Sequence, residues 1–245
     1  MKNILHTIES ILGIYRWHPK IALRYLPVVD DIKKNFSEYS SVLEVGSGGL
    51  GITPYLKKKI VGVDVFFDLP VDKNITAVTA LANELPFADK AFDTVICLDV
   101  IEHNSNHNRI KIISELLRVA SSKIYIGLPV GKLSQKQDEE ISVDFFKKHD
   151  HNYEYLSQHL EYGLPEKDWI IKTVTEEAQK LNKSVQIKIY GNINLKFRKF
   201  LMSGWISDNI IVNILFRKIF ILFIPIFRIF NHSPTYRELF FITIN

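Results

Sequence analysis

The feature that most constrains the fold is a short apolar segment that contains an acid and runs into a glycine-rich loop, at residues 41–51. Residues 42–45 (Val-Leu-Glu-Val) are apolar enough, apart from the acid, for a strand that is covered on both faces of a sheet. Gly46 and Gly48 allow positive φ angles, and without a Cβ atom they let the main chain approach a ligand closely. We therefore predict a buried strand followed by a ligand-binding loop.

A helix is predicted after the loop. Thr53 followed by Pro54 is typical of an N-cap with a proline in the first helical turn. The N–H groups of that first turn lack partners within the helix, so we expect them to face a ligand.

Two acids narrow the choice of ligand. A Gly-x-Gly-x-x-Gly loop alone also suits a nicotinamide dinucleotide. Glu44 lies two residues before the first glycine, where it would repel a pyrophosphate but suit a ligand with an ammonium group, and S-adenosylmethionine carries one. Asp64 follows Gly46 by 18 residues, at the end of a second predicted strand, where an acid accepts hydrogen bonds from a ribose. Asp64 does not distinguish the two cofactors, because both contain a ribose.

On these residues the chain resembles the class I S-adenosylmethionine-dependent methyltransferases, over roughly residues 41–129. Five ordered motifs carry the resemblance: Glu44-Val45-Gly46-Ser47-Gly48, Gly62-Val63-Asp64, Leu85-Pro86-Phe87, Phe92-Asp93-Thr94-Val95-Ile96 and Ile101-Glu102-His103. The resemblance implies an α/β fold, with a Rossmann-like, mostly parallel seven-stranded sheet, helices on both faces and an antiparallel last strand. It also implies a methyltransferase with S-adenosylmethionine as its cofactor.

The resemblance also implies which residues bind the cofactor. They are Glu44, Gly46, Ser47, Gly48, Asp64, Val65, Leu81, Ala82, Asn83, Leu98 and Asp99. The chain departs from the family at one of them, since many members carry an aspartate where this sequence has Leu81. Adenine is then expected to be read by main-chain groups near Leu81 and Ala82, or by Asn83.

Histidines are the candidate catalytic residues. His103 is the best candidate for a general base by position, because it follows the fourth predicted strand, and His159 and His151 are weaker candidates. A capping or helix-packing role for His103 stays open. His149, His151, His159 and Glu161 invite a metal site, but their spacing matches no zinc pattern. We therefore expect no metal, and a substrate-facing loop in this part of the chain.

Composition indicates an ordinary globular protein. The chain has 245 residues, 47% of them apolar and 24% charged, with a net charge of +4. No run of five or six basic residues occurs, so nucleic acid is not an expected partner. Cys97 is the only cysteine, which excludes an intrachain disulfide. No secretory signal is recognised, and we expect a cytoplasmic protein.

We predict one methyltransferase domain over residues 1–245, in four parts. Residues 1–40 form a helical cap, in which Tyr15 and Arg24 are candidates to reach a cofactor carboxylate. Residues 41–200 form the cofactor-binding core, with an exposed loop at 132–140. Residues 201–234 form an apolar helical insertion, and residues 235–245 form the final edge strand.

Residues 210–230 are rich in Ile, Leu and Phe, but basic residues and a proline interrupt them. The longest uncharged stretch is shorter than the roughly 20 residues that a membrane span needs. Three alternatives stay open. The segment packs on the domain or forms a homodimer, it lies in the inner membrane interface, or it walls off the active site. The segment's own basic residues, with Lys196, Arg198 and Lys199 upstream, would reach anionic head groups in the second case.

The predicted function is methyl transfer to a small-molecule, glycan or lipid-linked acceptor, with a hydroxyl favoured. Residues 159–165 look like a segment found in methyltransferases encoded among cell-envelope glycan genes, and the central motifs look like those of quinone-biosynthesis O-methyltransferases. Two alternatives remain at this stage. One is an NAD(P)-dependent oxidoreductase, supported by the glycine spacing and Asp64. The other is a non-catalytic, methyltransferase-like scaffold at a membrane surface.

Overall fold

A computed structural model describes residues 17–35 and 40–245. The strands are β1 (Val42–Val45), β2 (Ile60–Asp64), β3 (Ile75–Thr79), β4 (Phe92–Leu98), β5 (Ala120–Pro129), β6 (Val185–Asn194) and β7 (Thr235–Ile244). The helices are α1 (Pro19–Asn35), α2 (Thr53–Leu56), α3 (Asn106–Val119), α4 (Gly131–His149), α5 (Glu154–Tyr162), α6 (Lys167–Lys180), α7 (Leu195–Trp205), α8 (Ile210–Arg217) and α9 (Ile224–Phe227). Three 3₁₀ turns cover Ile101–His103, Ile219–Phe223 and Arg228–Phe230.

The seven strands form one sheet in the order β3-β2-β1-β4-β5-β7-β6. The first five strands in this order are parallel, and β7 runs antiparallel to both β5 and β6. The chain reverses its direction of winding at β1 and β4, so the carboxyl ends of these two strands border the crevice where open α/β sheets hold ligands. The predicted fold class is confirmed.

Alternation along the strands sends side chains to two separate cores. Leu43, Val95 and Ile124 face the core that α3 and α6 cover, whereas Val42, Ile96 and Tyr125 face the core under α1 and α7–α9. This is the period of two expected of extended chain, with apolar residues on both faces because helices cover both. This packing on both faces fixes the positions of the strand ends. The loops that follow the strands are therefore held in place.

Three predictions about local structure are wrong. Residues 132–140 lie within α4, where Ser134, Gln137 and Asp138 are buried, because their polar groups bond to neighbouring elements. The final strand β7 lies between β5 and β6, so β6 is the edge strand. Helix α2 is a single turn whose N-cap is Ile52, since the Thr53 hydroxyl donates to the Leu50 carbonyl instead of capping.

The second predicted strand, which ends at Asp64, is β2, and the fourth, which precedes His103, is β4. The described part of the predicted helical cap is α1, which begins at Pro19. Residues 1–16 of that cap, with Tyr15, lie outside the described residues. The division of the chain into four parts stays a prediction, except that the last part is not an edge strand.

The segment 210–230 packs on one side and is exposed on the other. Phe216, Ile221, Ile224 and Phe227 are buried in the core under α1. We call its exposed side the apolar face, made of Ile210, Ile211, Ile214, Leu215, Ile219, Leu222, Phe223, Ile226 and Ile229. The segment is also long and apolar enough to cross a membrane by length and composition alone, but turns divide it into α8, α9 and two 3₁₀ turns.

Gly204 in α7 provides the contact on which α8 docks. A Cβ atom at this position would lie 2.2 Å from the Phe216 ring. We expect Gly204→Ala to lower the free energy of unfolding by about 1–2 kcal/mol, because overpacking outweighs the better helix propensity of alanine. Chemical denaturation measures the change. The control Ser203→Ala, at an exposed position of the same helix, should change stability by no more than about 0.5 kcal/mol. Equal stability of the two variants would show that α8 does not dock on Gly204.

Candidate active site

The glycine loop closes tightly over the end of β1. Gly46 has a φ of +79°, and its N–H donates to the Val63 carbonyl of β2 at 2.7 Å. A Cβ atom on Gly46 would lie 2.1 Å from the Val100 side chain, which follows β4. Glycine is therefore required here, both for the left-handed backbone and for the close approach of two loops at the sheet's carboxyl edge.

Glu44 lies beneath this loop and is 1% exposed. Its Oε1 accepts from the Tyr25 hydroxyl of α1 at 2.6 Å, and its Oε2 accepts from the Ile52 N–H at 2.8 Å. A Cβ atom on Gly51 would lie 2.2 Å from that Oε2. Glu44 thus joins β1, α1 and the start of α2. The contact with a cofactor ammonium stays a prediction, since the two carboxylate oxygens are engaged with these groups.

Asp64 ends β2 and is bound to the same loop. Its Oδ2 accepts from the Gly48 N–H at 2.8 Å, and its Oδ1 accepts from the Phe66 N–H at 3.3 Å. The Ser47 side chain lies under the loop and is 7% exposed. The carboxylate is half-exposed and so stays accessible to a ligand, and its binding of a ribose diol stays a prediction.

Exposed apolar side chains follow β2 and β3. Val65 is 63% exposed and Leu81 is 56% exposed. The Ala80 N–H donates to the Asp64 carbonyl at 3.2 Å, so the two strand ends are tied together. Ala82 and Asn83 are half-buried next to them. These side chains offer an apolar wall for a flat ring beside Asp64, which fits the adenosine of S-adenosylmethionine.

The structure gives Leu98 and Asp99 different surroundings from the other predicted cofactor residues. Leu98 is 2% exposed and packs in the core, so only its main chain reaches the site. Asp99 has a φ of +55° and accepts two hydrogen bonds of 2.6 Å from Arg237 and one of 2.8 Å from Arg24. Although burial acts to raise it, these two guanidinium charges hold the pKa of Asp99 well below its usual range. Arg24 binds Asp99 through one nitrogen and its Nε is buried without a partner, so a contact of Arg24 with a cofactor carboxylate stays a prediction.

A second cluster follows β4. Glu102, His103 and His159 place one ligand-type atom each within 4.8 Å of one another. Glu102 is fully buried, and neither of its carboxylate oxygens has a hydrogen-bond partner. The Nε2 of His159 and the Nδ1 of His103 are also buried without partners. Burial, followed by the charge of Asp99, raises the pKa of Glu102 well above its usual range, while burial lowers the pKa of His103 to about 4.

Two residues that the sequence did not suggest hold this cluster in place. Asp138 of α4 accepts from the Nδ1 of His159 at 2.8 Å and also binds Arg198 at 2.6 Å. Arg109 of α3 donates to the carbonyls of Glu102 and Gly163, at 3.0 and 2.5 Å, which fixes the 3₁₀ turn against the end of α5. Arg198 is buried and not part of a basic flank, contrary to the sequence-based prediction. Asp138 could have been recognised as a site residue only from its burial on one side of α4. The sequence instead predicts an exposed loop at this position.

The other histidines of this region lie apart from the cluster. The Nε2 of His149 donates to the Ile206 carbonyl at 3.0 Å, and its Nδ1 lies 3.4 Å from Asp208. His151 packs edge-on against Phe145. Of the three neighbouring histidines in sequence, the structure brings only His159 to the carboxyl end of β4, and it joins residues more than 50 positions earlier in the chain.

Comparison with known proteins gives a consistent result. Residues 43–125 match a family model described as a methyltransferase domain. The fold is similar to that of an S-adenosylmethionine-dependent methyltransferase, a possible histamine N-methyltransferase, from Thermotoga maritima (13% identity, 99% of each chain, TM-score 0.53). It is also similar to the YcgJ protein of Bacillus subtilis (13% identity, 91% of this chain and 97% of that one, TM-score 0.52).

A third similar structure is phosphoethanolamine N-methyltransferase 2 of Haemonchus contortus in complex with S-adenosyl-L-methionine (17% identity, 97% of this chain and 59% of that one, TM-score 0.52). At these identities the likeness to solved structures shows the fold alone. No curated protein sequence matches the chain.

Replacing Glu44 by glutamine is expected to change how stability depends on pH. Burial raises the pKa of Glu44 to about 7 from 4.5. The native state therefore favours the protonated carboxyl. The stabilisation that Glu44 contributes to the free energy of unfolding is fully present below pH ~4.5 and is lost as the pH rises through ~7. Between these limits the wild-type free energy of unfolding should fall by up to about 3 kcal/mol relative to Glu44→Gln. Urea denaturation at several pH values measures the difference.

The exposed Glu84 provides a matched control. Glu84→Gln should keep the pH dependence of the wild type, because that carboxylate is solvated in both the folded and the unfolded state. Parallel curves for the wild type and Glu44→Gln would contradict the assignment of a buried, costly charge at position 44.

Proposed function

We propose that the chain is a class I S-adenosylmethionine-dependent methyltransferase and that it transfers the methyl group to a hydroxyl of a small-molecule, glycan or lipid-linked acceptor. S-adenosylmethionine, when bound, supplies an electrophilic methyl group on its sulfonium. In this proposal Gly46, Ser47 and Gly48 approach its amino acid part, and Asp64 receives its ribose. Val65 and the loop 81–83 line the adenine. The family match favours this cofactor over a nicotinamide dinucleotide.

The observation that carries the choice of a hydroxyl is the cluster of Glu102, His103 and His159. A hydroxyl must lose its proton as the new bond forms, whereas a neutral amine attacks unaided. The cluster follows β4, at the edge of the sheet where α/β folds hold their ligands. Its unpartnered imidazole nitrogens are the groups that such a proton requires. His103 and His159 are therefore the candidate catalytic residues, as the sequence suggests.

Transfer of label tests the acceptor class. Extracts of cells that lack the protein should accumulate the unmethylated acceptor. Incubated with the purified chain and methyl-labelled S-adenosylmethionine, they should yield a product heavier by one methyl group, with the label in an O-methyl group. Gly46→Ala provides the inactive control, because its Cβ atom would overlap Val100. Label found only in N-methyl or C-methyl groups would overturn the choice of a hydroxyl. Binding of cofactor without transfer from any extract would favour the non-catalytic scaffold.

We further propose that the protein works in contact with an anionic membrane surface, on its inner, cytoplasmic side. The apolar face supports this, since only 17% of the most apolar window in residues 210–230 is buried. Arg217 and Lys218 lie exposed at its border, where they suit anionic head groups. The buried side of the same segment packs in the core with α1, the helix whose Tyr25 contacts Glu44.

Vesicle flotation tests the membrane contact. The wild-type chain should float with vesicles that contain phosphatidylserine, and less with neutral ones, because binding combines apolar insertion with charge attraction. Ile210→Ser with Ile211→Ser and Leu222→Ser should reduce the bound fraction several-fold. Exposed apolar positions of α4 provide the control, Leu133→Ser with Val143→Ser. Equal flotation of both variants would reject the proposal. A lipid-independent dimer that only the first variant loses, measured by sedimentation, would identify a second copy of the chain as the occupant.

A further inference from the structure

We propose that Glu102, His103 and His159 bind a divalent first-row transition metal ion, with zinc as the best candidate. This differs from the sequence-based expectation of no metal. Two imidazoles and one carboxylate are the ligand set of catalytic sites that keep an open position, and imidazole suits these ions. One ligand atom from each residue lies within 4.8 Å of the others.

The missing partners of Glu102 provide the first argument. A fully buried carboxylate without a hydrogen bond costs several kcal/mol unless a cation or a proton compensates it. Arg109 is the cation that contacts this residue, but its guanidinium donates to the Glu102 carbonyl and leaves the carboxylate oxygens unpartnered. A cation placed between the carboxylate and the two imidazoles would compensate the charge of Glu102 and give the Nε2 of His159 a partner.

The orientation of His159 provides the second argument. Its Nδ1 bonds to Asp138 at 2.8 Å, which leaves the unpartnered Nε2 directed at the cluster, 4.0 Å from the Glu102 Oε1. A carboxylate behind a ligating histidine is the usual arrangement in metal sites, because it fixes the ring and raises its basicity. Asp138 is itself fixed by Arg198 and by the Tyr236 hydroxyl.

The distances between the ligand atoms fit a metal site after small movements of the side chains. The ring Nε2 of His103 and that of His159 each lie 4.0 Å from the Glu102 Oε1. Ligand atoms around a tetrahedral zinc ion are about 3.3 Å apart, given bonds of about 2.0 Å. Side-chain movements of less than about 1 Å therefore suffice, and the 3₁₀ turn and α5, which carry the ligands, are already held together by Arg109.

The role of the ion rests on the proposed function, whereas its binding does not. An ion at the end of β4 would bind the acceptor hydroxyl in its open position and lower the pKa of that hydroxyl. The hydroxyl proton would then pass to water while the acceptor oxygen bonds the methyl carbon and the carbon–sulfur bond breaks, which releases the neutral thioether. In this role the two histidines would act as metal ligands, which replaces the role of base proposed for them above. An ammonium group is another cation that these three ligand atoms would bind. The experiment below distinguishes an ammonium group from a metal ion.

Metal binding can be measured on the full chain without an acceptor. After treatment with a chelator and dialysis, the wild type should take up one Co²⁺ or Zn²⁺ ion per chain, seen as a visible absorption band for Co²⁺ and as bound metal by mass spectrometry. Glu102→Gln and His159→Asn should each weaken binding at least 10-fold. Asp138→Asn should weaken it about 10–100-fold, as for other carboxylates behind ligating histidines. Circular dichroism without metal checks that each variant is folded.

Histidines outside the cluster provide the matched control. His149→Asn and His151→Asn should bind the ion as the wild type does, because neither ring reaches the cluster. Sub-stoichiometric uptake, uptake unchanged in both Glu102→Gln and His159→Asn, or binding of methylammonium but no metal would overturn the inference. If the ion binds but no O-methyl product forms, only the proposed acceptor class fails. If O-methyl transfer persists in excess chelator, only the metal inference fails.

Discussion

The site depends on one buried carboxylate. Glu44 accepts hydrogen bonds from the Tyr25 hydroxyl and the Ile52 N–H, and so binds the N-terminal helix and the far end of the glycine loop to the first strand of the sheet. A charge removed from water is costly unless such partners compensate it, and burial still raises the pKa of Glu44 to about 7. The protein thus keeps an electrostatically unfavourable buried carboxylate beside the glycine loop, where the main chain must approach a ligand closely.

A second set of charges organises the other side of the crevice. Asp99, in a left-handed conformation just after β4, is held by Arg237 from β7 and by Arg24 from α1. Arg237 also donates to Asn192 of β6, whose side-chain amide donates to the Leu23 carbonyl of α1. The cap helix, the antiparallel end of the sheet and the strand end near the reaction site are therefore one hydrogen-bonded unit. Beside this unit, the two carboxylate oxygens of Glu102 have no hydrogen-bond partner. They lie in the cluster that Glu102 forms with the two histidines.

The same cap helix connects the candidate site to the apolar segment. Helix α1 bears Tyr25 and Arg24 on the site and packs against the core that the buried side of residues 210–230 completes. The opposite side of that segment is apolar and exposed. Under the membrane proposal made above, this surface would hold the crevice close to a lipid-linked acceptor. Large exposed apolar patches are uncommon in monomeric soluble proteins without such a purpose.

The sequence by itself determined the parts of this protein that depend on local pattern. Apolar segments of strand length predicted strands, and Gly46 and Gly48 predicted the loop after β1, because backbone conformation and strand alternation follow from neighbouring residues. The order of the sheet and the cofactor class came from the resemblance that Glu44 and the later motifs carry. Only the tertiary structure decided that β7 inserts inside the sheet, that residues 132–140 are helical, and that Glu102 and His103 meet His159. Contacts between residues far apart in the chain, such as Asp138 with His159 and Arg198, or Arg237 with Asp99, arise from how the layers pack. No spacing in the sequence records them.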